Sequence, residues 1–194
     1  MKRNHEFNND YIGISDEIEG YGQWLAALKA KGWRTYLVTI MFNQLRGSMK
    51  IKNVMMAKEI ERIYATLLTR IVRHPRSPSA ADMLPIWIFC PDFPVPKRKR
   101  QSLAKVMVND GLHYHAIAVL PPTSRLQESL RRHFRNNQGL YRGRNQLVSR
   151  IKAKKIRETP RKLARYVLKT LSRYRATLDD LNILPRALDE LPVD

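Results

Sequence analysis

Residues 112–120 read Leu-His-Tyr-His-Ala-Ile-Ala-Val-Leu (LHYHAIAVL), nine residues with no lysine, arginine or acid, stopped by Pro121-Pro122. An apolar run of this length, rich in aromatic and branched residues and closed by a turn signal, predicts a β-strand. Side chains alternate along a strand, so His113 and His115 point to one side, about 7 Å apart, while Tyr114 points to the other. Two imidazoles on one face suit chelation of a divalent ion. A bare His-x-His also occurs on ordinary strands, so its meaning depends on what the rest of the chain brings to it.

Working outward, Leu84–Cys90 (LPIWIFC) predicts a strand before the histidines, joined to them through Pro94, Pro96 and Lys97-Arg98-Lys99-Arg100, most simply a long hairpin loop. Trp33–Phe42 (WRTYLVTIMF) is dense in aromatic and β-branched residues and predicts an earlier buried strand, ended at Arg46-Gly47-Ser48. Between them, residues 50–72 carry Val54, Ala57, Ile60, Ile63, Tyr64, Leu67, Leu68 and Ile71 at helical spacing, before His74-Pro75 and Ser77-Pro78 break the helix. A first helix over Asp16–Lys31 has the stripe Ile18, Tyr21, Trp24, Leu25 and Leu28 and stops at Gly32. After the histidines come a basic helix over Ser124–Phe134, a loop over Gly139–Arg144 and a further strand over Gln146–Ile156. A last helix has Thr159 as N-cap and Pro160 at its first position, and runs to about Ala176. This order predicts an α+β sandwich: a largely antiparallel sheet of four to five strands with helices packed on it. The domain is expected over residues 16–178, with tails at 1–15 and 179–194.

Hydrophobic residues at 43% and aromatics at 8% are ordinary for a folded domain despite a net charge of +19. The charge is concentrated: residues 97–175 hold 22 Lys and Arg against 3 acidic residues, and the remainder carries 14 of each sign and cancels. A positive field gathered in one stretch calls for a polyanion, and nucleic-acid phosphate is the commonest. Cys90 is the only cysteine, which excludes a disulfide framework and a cysteine-built zinc site and fits a reducing compartment. No window approaches a membrane span, so the expectation is a soluble, cytoplasmic protein with no membrane partner.

On the last helix, Lys162, Arg165, Lys169 and Arg173 fall in one arc around Tyr166, opposite Leu163, Ala164, Val167, Leu168, Leu171 and Tyr174. The cations are expected to favour a phenolate at Tyr166 and to attract a phosphodiester. The bland alternative is a surface tyrosine covering lysine stems.

A hydrophobic strand, then His-x-His on a later strand, then Tyr-x-x-Lys on a later helix form an ordered set. The chain resembles the HUH endonucleases, in particular the single-tyrosine initiators of rolling-circle replication, over roughly Trp33–Arg173. The resemblance rests on Trp33–Phe42, on Leu112-His113-Tyr114-His115-Ala116-Ile117 and on Ala164-Arg165-Tyr166-Val167-Leu168-Lys169. It implies an HUH/Rep-like fold and an Mg²⁺ or Mn²⁺ ion on His113 and His115. It also implies Tyr166 attacking a phosphodiester to leave a 5′-phosphotyrosine and a free 3′-hydroxyl, with Lys169 stabilising phenolate or phosphate. The partners implied are single-stranded or hairpin DNA and, since no P-loop is present, a separate host helicase.

The sequence departs from that pattern in having no Glu on the strand before the histidines. Asp92 is the nearest acidic candidate for a third ligand, although an aspartate beside Phe93-Pro94 suits a loop equally well. A second nucleophile is not expected, since Tyr174 falls on the apolar side. Lys97, Arg98, Lys99, Arg100, Arg142, Arg144, Lys162, Arg165 and Arg173 are the expected DNA contacts, joined by the basic run 152–157. Trp24 and Trp87 read as core, Trp33 as closing the sheet edge, and His74 and His133 receive no role. The same chemistry would serve a relaxase or a transposase. A non-catalytic basic nucleic-acid-binding protein is the competing class, and a relative that keeps the fold without a complete metal site is a third.

Overall fold

The four predicted strands and a short fifth pair into a single antiparallel sheet in a computed structural model that describes residues 6–93, 108–143, 146–157 and 159–186. In chain order the elements are α1 (Glu6–Ala30), β1 (Arg34–Phe42), α2 (Met49–Ile71), β2 (Ile86–Asp92), β3 (His113–Leu120), α3 (Leu130–Asn136), α4 (Gln138–Tyr141), β4 (Val148–Lys155), α5 (Pro160–Val167) and β5 (Asn182–Leu184). Short 3-10 turns at Pro78–Met83, Val108–Gly111 and Leu178–Asp180 connect them. The strand order is β4-β1-β3-β2-β5, which puts the histidine strand at the centre.

Both faces of that central strand are covered, and this explains why its sequence is apolar almost throughout instead of alternating. On one face, Tyr36, Val38, Ile40, Trp87, Phe89, Tyr114, Ala116 and Ala118 pack under Met56, Ile60, Ile63 and Leu67 of α2. On the other, Ile88, Cys90, Ile117 and Val119 pack under Ile18 and Leu25 of α1, Leu163, Ala164 and Val167 of α5, and Leu168 just after it. Local stops are those the sequence announces. Gly32 sits at φ +83° after α1, and Trp33 N–H reaches back to the Leu28 carbonyl, as in a glycine-terminated helix end. Ser48 caps α2 by accepting from Ile51 N–H.

Several boundaries differ from expectation. α1 begins at Glu6, ten residues before the predicted start. α3 begins only at Leu130, because Ser129 accepts from Arg132 N–H and so caps the helix there; Ser124 belongs to the preceding turn. The predicted loop at Gly139 contains the one-turn α4. Residues 182–184, placed in a tail, form β5 and pair with Trp87, Ile88 and Phe89. The last helix ends at Val167, not near Ala176. Its stop has a cause: buried Thr170 donates to the Pro91 carbonyl at 2.9 Å, which pulls the chain off the helical path and onto β2. Tyr174 then lies at φ +51° and is 55% exposed, so it is not core. Trp24 is also exposed (39%), its neighbour Leu25 taking the buried position, whereas Trp87 is fully buried and Trp33 packs half-buried at the sheet margin.

Candidate active site

The face of the sheet beneath α5 holds Asp92, His113 and His115. Asp92 pairs with His113 across β2 and β3, and Cys90 with His115, so the carboxylate and both imidazoles emerge on one side. One ligand atom from each lies within 4.8 Å of the others, and these three residues could hold a metal ion. His113 Nε2 is 3.4 Å and His115 Nε2 3.2 Å from Asp92 Oδ2. Asp92 thus belongs to the cluster and not to a loop.

The imidazoles are oriented from behind. His113 Nδ1 donates to the Gly111 carbonyl at 2.9 Å, which turns Nε2 toward Asp92; that nitrogen donates to the carboxylate when the ring is protonated and offers its lone pair to a cation when it is not. His115 Nδ1 is 3.2 Å from Thr39 Oγ1 on β1, so a threonine hydroxyl does for the second ring what a backbone carbonyl does for the first. The Gly111 carbonyl is itself fixed by the turn Asn109-Asp110-Gly111, three successive residues with positive φ. Asn109 holds that turn by accepting from Leu45 N–H at 2.7 Å and donating to the Asn43 carbonyl at 2.8 Å, both just past the end of β1. Asn, Asp and Gly are the residues that tolerate this backbone region, and their occurrence immediately before the histidines was the available sequence signal. Thr39 and Thr170 carried no comparable signal.

Asp92 is 4% exposed, and its Oδ1 has no hydrogen-bond partner among the described residues, while Oδ2 accepts from Lys169 and faces both imidazoles. A buried carboxylate oxygen without a donor, beside two imidazole nitrogens whose opposite nitrogens are already committed, fits a cation as its missing partner. Burial pushes the Asp92 carboxyl up, but hydrogen bonds from His113, His115 and Lys169 outweigh it and hold the group well below the usual carboxylate range. Burial lowers His113, yet its bond to Asp92 prevails and it is raised overall; His115, more deeply buried and beside His113, is lowered.

Tyr166 closes the site from α5. Its hydroxyl is 3.3 Å from His115 Nε2, and the rings lie 5.1 Å apart. The Lys169 ammonium stands 4.4 Å from the centre of the Tyr166 ring while paired with Asp92. The structure therefore brings together all five residues read from the sequence as metal ligands, nucleophile and lysine. One expectation is corrected: Tyr166 is not biased toward phenolate. Burial and then the Asp92 charge push its hydroxyl up.

Of the expected DNA contacts, Lys162, Arg165 and Arg173 are exposed, but Arg165 is tied to Glu19 of α1 at 3.2 Å. Arg142 is exposed and donates to Gln138 Oε1 at 3.1 Å. Lys97, Arg98, Lys99, Arg100 and Arg144 lie outside the described residues. His133 is buried, with Nε2 2.7 Å from the Tyr141 hydroxyl, and serves to clasp α3 to α4 away from the site. Among the described residues no helix is long and apolar enough to cross a membrane. Comparison with protein-family models, curated proteins and solved structures finds no match to this chain.

Proposed function

We propose that the protein is a metal-dependent endonuclease and strand transferase acting on single-stranded or hairpin DNA, with Tyr166 as the nucleophile. The observation that carries this reading is the contact of the Tyr166 hydroxyl, at 3.3 Å, with an imidazole of the buried Asp92, His113, His115 cluster. A nucleophile beside a three-residue cation site, in a chain of net charge +19, supports phosphodiester chemistry better than any role for those groups separately. The HUH resemblance of the sequence motifs points the same way.

Asp92, His113 and His115 would hold Mg²⁺ or Mn²⁺, an ion that supplies positive charge to the non-bridging oxygens of the scissile phosphate. Thr39 and Gly111 keep the imidazole lone pairs directed inward, and α5 sets the phenol over them. Tyr166 Oη forms a bond to phosphorus while the bond to the 3′ oxygen breaks. The phenol loses its proton and the departing 3′ oxygen gains one, so phenol plus phosphodiester gives 5′-phosphotyrosine plus alcohol. Lys169, beside the Tyr166 ring, places its ammonium where phenolate and phosphate charge develop. Because the phosphotyrosine keeps the phosphodiester's bond energy, a 3′-hydroxyl attacking it reverses the step and rejoins strands.

The reading takes initiation of rolling-circle replication of a plasmid or phage as its cytoplasmic setting, with unwinding left to a separate helicase. A relaxase or transposase would use the same groups. The test is incubation with labelled single-stranded DNA and Mn²⁺, followed by denaturing electrophoresis. Wild type forms an adduct that survives denaturation, His113→Ala forms far less and Tyr166→Phe none; adduct formation by Tyr166→Phe at the wild-type level overturns the assignment.

A further inference from the structure

The face of the sheet that carries the histidines continues, past them, to the edge strand β4. Register places Thr39 opposite His115 on one side and opposite Lys152 on the other. Arg150 pairs with Met41 and Lys154 with Leu37. Since Val148, Ile151 and Ala153 are buried in the core that α2 and α3 share, the alternating Arg150, Lys152 and Lys154 point to the site-bearing face, and all three are exposed. Lys152 thus stands in the same cross-strand row as His115, two strands away, or about 10 Å between backbones.

Among the described residues this half of the face is the more exposed. α5 covers β2 and β3, while Thr39 is only half-buried and Met41 is exposed. The cations here also differ from the two arginines of α5. Arg161 and Arg165 are both tied to Glu19 at 3.2 Å, whereas Arg150, Lys152 and Lys154 pair with no acidic group among the described residues. Three cations at alternate strand positions recur about every 7 Å, comparable to the distance between successive phosphates of an extended single strand. The flat surface, one row wide with Met41 beside it, matches one backbone with its bases turned inward better than it matches a duplex.

We propose that β4 is the track by which a single-stranded polynucleotide reaches the site, its phosphates held in sequence by Arg150, Lys152 and Lys154. This rests on the nucleic-acid part of the proposed function and not on its covalent chemistry. The test is fluorescence anisotropy of labelled oligothymidylate, long enough to span the sheet, against salt concentration. The proteins compared are wild type, the triple variant Arg150→Ala/Lys152→Ala/Lys154→Ala, and a control with equal charge loss on exposed positions of α2, Lys50→Ala/Lys58→Ala/Arg70→Ala. Each phosphate contact on a single strand contributes about 0.7 to the slope of log affinity against log salt, so loss of three flattens it by about 2. The gap between wild type and the β4 variant should then widen by about 20-fold between 200 and 50 mM salt. The control should keep the wild-type slope, and all three proteins should melt alike.

A β4 variant with the wild-type or control slope overturns the track, whether or not wild type forms its DNA adduct. Loss of binding to phosphatidylserine vesicles without loss of oligonucleotide binding also overturns it, assigning the row to a lipid surface. Weakened oligonucleotide binding in the β4 variant, with no adduct from wild type, supports the track and removes only the catalytic reading.

Discussion

Replacing Asp92 by Asn removes one negative charge and almost no volume, and its consequences follow from the site's geometry. Without the carboxylate, Lys169 loses its ion pair and two imidazoles lose their shared partner. Breaking a fully buried ion pair costs about 3–5 kcal/mol. The Asp92 side chain is 5% exposed but that of Lys169 is 21% exposed, so its ammonium can turn outward. The expected cost in EDTA is therefore lower, about 2 kcal/mol, in the range for a buried polar group left unsatisfied. For a chain of 194 residues this is a fall in melting temperature of about 4–8 °C. The second effect is on metal binding. A metal at about 100 times its Kd stabilises wild type by about 2.7 kcal/mol, and Asp92→Asn, with one of three ligands weakened, should show little of that gain at the same concentration. Thermal unfolding of both proteins in EDTA and in Mn²⁺ separates the two effects. A Mn²⁺-dependent rise in Asp92→Asn equal to that of wild type would refute the assignment of Asp92 as a ligand.

Further outcomes follow from single side chains. Thr39→Val removes the hydroxyl that sets the His115 ring and should weaken Mn²⁺ binding about 10- to 100-fold, with little change in melting temperature and with rescue by Thr39→Ser; unchanged calorimetric affinity in Thr39→Val would show that the hydroxyl has no such role. Burial pushes the Cys90 thiol up to about 12, so iodoacetamide at pH 8 should leave it unmodified in the native protein and label it only after unfolding in guanidinium; rapid native labelling would contradict its placement. Burial lowers His133 below its ordinary value, so the folded state resists a proton that the unfolded chain accepts near 6.5. Its contribution is therefore lost as pH falls through that value, and the melting temperature of wild type should drop from pH 7 to pH 5 more than that of His133→Gln.

How far the site could be read from the chain depended on the range of the interaction involved. His113 and His115 were legible because the two-residue period of a strand is local and guarantees a common face. Tyr166 was legible because helical spacing put it among cations and away from Leu163 and Val167. Asp92 was ambiguous, since its place opposite His113 depends on the register of two strands joined by a long connection. Thr39 was invisible for the same reason, acting on a ring 76 residues away. The end of α5 was misjudged because helical periodicity in Leu168 and Leu171 continues past the point where Thr170 bonds to Pro91. β5 was missed because Asn182-Ile183-Leu184 is too short to show a period. The phenol's ionisation differs from expectation because charge counting along one helix shows neither the burial of the Tyr166 hydroxyl nor the Asp92 carboxylate brought near it from β2.

The claim on which the account depends is that Tyr166, set against the Asp92, His113, His115 cluster, is the residue that becomes joined to DNA. Trypsin digestion of the protein–DNA adduct, with nuclease trimming and mass spectrometry, reads this directly. A nucleotide 5′-phosphate is expected on the peptide Tyr166-Val167-Leu168-Lys169. A nucleotide on any other residue, Tyr174 included, would contradict it.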